Sequence, residues 1–125
     1  MRFLMMIKAA ETNGPPSPEL LAGVGKMMEE MARSGVLLDT GGLAPSARGA
    51  RIKLANAKLL VTDGPFTETN EVIGGYAILR AGSKQEAIEL GRQFMQLHAD
   101  ILGPSYQAEC EVREMFDPPP VRKES

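Results

Sequence analysis

The number of helices is what most constrains the fold of this chain. Only two stretches repeat apolar residues at helical spacing; the other apolar stretches are short or alternating, as strands are. The first helix is predicted to open at Ser17-Pro18-Glu19. Ser17 suits the cap, Pro18 the first helical position, and Glu19 the positive end of the helix dipole. Leu20, Leu21, Val24, Met27, Met28 and Met31 then line one face, and Gly35 is the natural stop. The second opens at Ser83-Lys84-Gln85-Glu86, a capping box, and runs to Leu97 or Ala99, before Gly103-Pro104 breaks the chain.

The strands fall around these two helices. Phe3 to Ile7 is a continuous apolar run and reads as a central strand buried on both faces. Val36-Leu37-Leu38 begins a second strand, ended by Gly41-Gly42. Arg51 to Leu54 alternates, Ala55-Asn56-Ala57 turns, and Leu59 to Asp63 runs back, which makes a hairpin. Ile73 to Leu79 and Glu109 to Arg113 complete the set. The order predicts an α+β fold: a ferredoxin-like antiparallel sheet with two helices on one face and an inserted β-hairpin. No third helix remains for the other face. A second copy of the chain is the simplest cover, so a homodimer is expected.

Composition removes several function classes. The 125 residues are the size of one domain, taken as residues 1–117, with a Pro-rich tail over 118–125. One Cys (Cys110) and one His (His98) exclude an internal disulfide and a Cys/His zinc site within the chain. A net charge of −2 lacks the clustered Lys and Arg that nucleic acid requires. No apolar run reaches the length of a membrane span, and the N-terminus has no signal-peptide pattern, so a cytoplasmic protein is expected. Gly23-Val24-Gly25 lies inside a helix rather than after a strand, and no Gly-rich phosphate loop occurs. No cofactor or metal is expected. Cys110, in an alternating strand, reads as structural, and the Met residues read mainly as core.

Two places remain where chemistry could sit. In Val61-Thr62-Asp63-Gly64-Pro65-Phe66-Thr67-Glu68-Thr69-Asn70-Glu71, Asp63 ends an apolar strand, Gly64 frees the backbone and Pro65 fixes the turn. Asp63 either hydrogen-bonds its own turn or is held at a pocket rim as a general base, and the two readings are compatible. The second place is the helix after Ser83. At 100° per residue His98 shares the apolar stripe of Ala87, Gly91 and Phe94, so its ring faces inward. It serves either as a satisfied structural His or as a cleft base titrating near neutrality. Gly91 on that stripe suggests close helix–sheet packing, and Tyr76 an ordinary sheet aromatic with a hydroxyl at hand.

The segment Asp63-Gly64-Pro65-Phe66-Thr67-Glu68-Thr69, with Glu71 and Gly74-Gly75-Tyr76, closely resembles the signature of DGPF-domain proteins of the YCII-related family. The resemblance extends over roughly residues 2–117. It implies a dimeric α+β barrel in bacterial cytoplasmic proteins, sometimes associated with extracytoplasmic-function sigma factors, and no established activity. For this chain it suggests a cofactor-independent small-molecule enzyme, a lyase, isomerase or hydrolase. Asp63 and His98 would exchange protons there, and Gly64, Phe66, Gly74, Gly75 and Tyr76 would surround the ligand. The alternative is a non-catalytic small-ligand-binding or regulatory module.

Overall fold

The computed structural model describes residues 1–66 and 72–117. Thr67 to Glu71 of the signature and the tail from Pro118 lie outside the described residues. The elements are β1 (Arg2–Ala9), α1 (Pro18–Arg33), β2 (Leu37–Gly42), β3 (Ala50–Ala55), β4 (Lys58–Asp63), β5 (Val72–Arg80), α2 (Lys84–Leu102) and β6 (Ala108–Glu114). Short 3-10 turns occupy Glu11–Asn13 and Ser46–Arg48.

The helix ends form as their sequences require. The Ser17 hydroxyl accepts from the Leu20 N–H at 3.1 Å, and Ser83 does the same for Glu86. The Glu86 carboxylate reaches back one residue further than the usual capping box, to the Gly82 N–H. At the end of α1, Gly35 (φ 84°) takes the left-handed conformation. Its N–H bonds Ala32 O while the Val36 N–H bonds Met31 O, closing a Schellman motif. Two strand and helix ends differ from expectation. β2 continues through Gly41-Gly42, because both pair with β5. α2 continues to Leu102, so His98 lies inside it and keeps the inward direction its position on the stripe predicts.

β1, β2, β5 and β6 form one antiparallel sheet in the order β2-β5-β1-β6, compatible with a ferredoxin-like arrangement. Register decides which side chains meet the helices. Met5 pairs with Ala77 and Val112, and Phe3 with Leu79, so these share one face. Met5, Ala77 and Leu79 join Met28 and Met31 of α1 and Phe94 of α2 in the main core cluster. Both helices therefore cover this face. A Cβ on Gly91 would stand 3.2 Å from Val112 and 3.6 Å from Cys110, so the glycine lets α2 lie close on β1 and β6. Cys110 packs against the core cluster, and burial pushes its thiol pKa up, as a structural cysteine requires.

The opposite face carries Leu4, Met6, Tyr76 and Ile78, all half-buried. Lys8 and Arg113 both pair with Glu111 beside them, at 2.8 and 2.5 Å. β3 and β4 form a separate two-stranded sheet. Its turn residues, Asn56 and Ala57, both have positive φ (52° and 61°), as a tight hairpin of primed type needs. Ile52 lies opposite Val61 and Leu54 opposite Leu59, so all four share one hairpin face. They are between 61 and 71% exposed. No described helix is long and apolar enough to cross a membrane.

Candidate functional site

A cavity of 840 Å³ opens on the helix-covered side of the sheet. That volume suits a small organic molecule. Its walls are mostly apolar: Met5 and Ile7 from β1, Leu20, Val24 and Met28 from α1, and Phe94 from α2. Gly74 and Gly75 of β5 belong to the lining, and Ile7 stands across from Gly75. Gly75 has a second duty, since a Cβ there would come to 3.2 Å from the Gly41 carbonyl oxygen.

His98 is the polar group that α2 delivers to this cavity. The residue is only 4% exposed. Its Nδ1 lies 2.9 Å from the Phe94 carbonyl oxygen, one helical turn back. A carbonyl only accepts, so in the neutral ring Nδ1 carries the hydrogen and Nε2 is left as an acceptor. Among the described residues no partner occupies Nε2. Two aromatic rings neighbour the His98 ring, Phe94 (centroids 4.6 Å apart, tilted by 59°) and Tyr106 (6.0 Å, interplanar angle 22°). The sequence reading found this residue; Tyr106, in the loop after α2, had no periodic signal to mark it.

Asp63 sits elsewhere. It ends β4 on the hairpin, is exposed, and is not among the residues that line the cavity. Gly64 and Phe66 do not line it either. Tyr76 borders it, but the register pairs Tyr76 with Met6 and Gly41. Its ring lies over Gly41, where a Cβ would be 2.8 Å away, on the face turned from the helices. Of the predicted group, His98, Gly74, Gly75 and Tyr76 adjoin the cavity, while Asp63, Gly64 and Phe66 do not.

The carboxylate that does line the cavity is Glu11, in the turn after β1. Its two oxygens accept one hydrogen bond each, from the Ser46 N–H and the Ser46 hydroxyl. These bonds hold its carboxyl below the usual carboxylate range, first through the backbone bond and then through the hydroxyl. Sequence reasoning had placed both residues in loops. A bond between loops 35 residues apart leaves no periodicity to read.

Ser46 also explains the signature segment. Its hydroxyl accepts from the Phe66 N–H at 3.0 Å while donating to Glu11. The Gly64 N–H donates to Gly49 O at 2.9 Å. A Cβ on Gly64 would fall 1.7 Å from the Ser46 carbonyl oxygen. The Arg51 guanidinium lies 3.8 Å over the Phe66 ring, a cation–π contact. Gly64-Pro65-Phe66 is thus clamped onto the Ser46 turn, and Ser46 in turn orients the cavity carboxylate.

Among the described residues no group of three or more His, Cys, Asp or Glu side chains is placed to hold a metal ion. The family model described as the YCII-related domain matches residues 1–102. No curated protein matches the chain.

Proposed function

The protein belongs to the YCII-related family, and for this member we propose a small-molecule binding function centred on the His98 cavity. The observation that carries this reading is the His98 ring itself. The residue is almost fully buried, its Nδ1 is committed to a backbone carbonyl, and its Nε2 is an unused acceptor in a mostly apolar cavity. Nε2 is not among the buried atoms left without a partner, so with Nδ1 committed it stays accessible as an acceptor. A ligand that donates a hydrogen bond to Nε2 is held in place by it, and the apolar walls take up its body. Nε2 is also the atom that would act as base toward an acidic ligand proton. The enzymatic version with Asp63 as partner has less support, because Asp63 stands outside the cavity lining.

Naphthol and methylnaphthalene, which share an apolar body and differ in the hydroxyl, test the reading by titration calorimetry. Naphthol is expected to bind the wild type about 3- to 10-fold tighter, the worth of one neutral hydrogen bond. His98→Phe keeps an aromatic ring, removes both nitrogens and should erase the difference. Equal affinities in the wild type, or a preference that survives His98→Phe, would remove His98 from the site.

The reading includes a homodimer. Among the described residues the chain presents two apolar surfaces: the exposed hairpin face of Ile52, Leu54, Leu59 and Val61, and the half-buried outer sheet face of Leu4, Met6, Tyr76 and Ile78. A lone two-stranded hairpin is marginal in water, and contiguous exposed apolar side chains mark contact surfaces. A two-fold exchange covers both surfaces on both copies. Light scattering at micromolar concentration should give twice the 13.5 kDa chain mass. The double substitution Ile52→Asp, Leu59→Asp should shift the population to single chains, and a wild type that is itself a single chain rejects the dimer.

A further inference from the structure

The cavity is electrostatically one-sided. Among the described residues that line it, Glu11 is the sole carboxylate, and no Lys, Arg or Asp accompanies it. We infer that the ligand is a cation, a small amphipathic amine whose ammonium meets Glu11 while its apolar body lies along the Met5, Val24 and Phe94 walls. The inference rests on the cavity reading above and names the chemical class that the cavity selects.

Three observations carry it. The Glu11 carboxylate is already oriented, since Ser46 donates to both of its oxygens from a turn that Gly64 and Phe66 clamp in place. Orientation is not saturation: an ionised carboxylate accepts about four hydrogen bonds, and Ser46 uses one site on each oxygen. The same two bonds favour the ionised form. Second, the surroundings make that charge count. The lining offers polar groups such as Asn13, Ser17, Thr40 and Tyr106 but no second ionic side chain among the described residues, so no fixed charge competes with Glu11 for a bound ammonium. Third, the same walls reject the opposite charge. A ligand carboxylate would be desolvated there with no lining cation to compensate and with Glu11 repelling it. With His98 Nε2 as a second acceptor, the best complement is a molecule with an ammonium, an apolar body and a hydroxyl.

Tyramine, para-ethylphenol and para-hydroxyphenylpropionate share a phenol and differ in carrying an ammonium, no charge or a carboxylate. They are titrated calorimetrically into the full chain at low ionic strength. Tyramine should bind about fivefold tighter than para-ethylphenol, a modest value because Glu11 stands partly in solvent. The carboxylate compound should bind weakest. Glu11→Gln keeps one acceptor oxygen for the Ser46 N–H, puts an NH2 that can donate to the Ser46 hydroxyl in place of the other, and removes the charge; it should level tyramine with para-ethylphenol and leave para-ethylphenol unchanged. Carboxylate binding as tight as tyramine binding overturns the inference, as does a tyramine preference that persists in Glu11→Gln. If para-ethylphenol binds in a His98-dependent way and tyramine binds no tighter, the cavity reading stands and the amine assignment falls. If no probe binds, both fall. The wild-type ranking of the three probes decides the matter even where Glu11→Gln fails to fold.

Discussion

Gly64→Ala is expected to lower stability by on the order of 3 kcal/mol, the upper range for forcing extra volume into a packed site. The added Cβ would stand 1.7 Å from the Ser46 carbonyl oxygen, 2.5 Å from its carbon and 3.1 Å from the Ala47 nitrogen. All three are backbone atoms, so no side-chain rotation relieves the overlap. The cost is steric rather than conformational, because Gly64 is not among the residues at positive φ. Either the Ser46 turn or the signature segment must move, and both hold the same hydroxyl. Displacement therefore breaks the Phe66 N–H bond to Ser46 and disturbs the two Ser46 bonds to Glu11. Thermal unfolding followed by circular dichroism should show a midpoint lower by roughly 10 °C. A midpoint within a degree or two of wild type would show that the clamp is not needed.

Phe94→Ala is the second large effect, because Phe94 belongs to the core and to the cavity at once. It is 8% exposed and packs in the cluster of Met5, Met28, Met31, Ala77 and Leu79. It also forms one wall beside the His98 ring. Truncating a buried Phe costs about 3–5 kcal/mol. The lower end applies here, since one side of the ring already borders open space. The bond from His98 Nδ1 goes to the Phe94 backbone carbonyl, so it survives the substitution and keeps the ring's tautomer. Naphthol binding should weaken through lost wall contact while the preference for naphthol over methylnaphthalene persists. Denaturant titration and calorimetry separate the two effects. A stability loss below about 1 kcal/mol would place Phe94 outside the core, and a vanished preference would mean that the Phe94 ring, not only its carbonyl, orients His98.

His98 was legible in the sequence because its position follows from one local rule. In a helix, direction repeats every 3.6 residues, so sharing a stripe with Ala87, Gly91 and Phe94 means sharing their burial. The caps at Ser17 and Ser83 and the stop at Gly35 were legible for the same reason: each depends on residues within one or two turns. Glu11 was not. Its chemistry depends on Ser46, and that bond joins two loops whose approach is set by how β1, β2 and the signature segment converge. The proposed pairing of Asp63 with His98 shows the other side of this. Asp63 ends an apolar strand, as expected, but among the described residues that strand belongs to a separate two-stranded sheet, paired with β3.

What the sequence determined by itself is the set of elements, their order and, for the two helices, the face each turns inward. These follow from hydrophobic period, capping and turn chemistry, which act over a few residues. The central strand expected to be buried on both faces buries Phe3 and Met5 on one. Only the tertiary structure decided which loops meet. It set Glu11 rather than Asp63 at the cavity, made Ser46 the hinge between signature and site, and left the hairpin's apolar face open. Such contacts join residues tens of positions apart, and their energy appears only when packed elements bring the loops together.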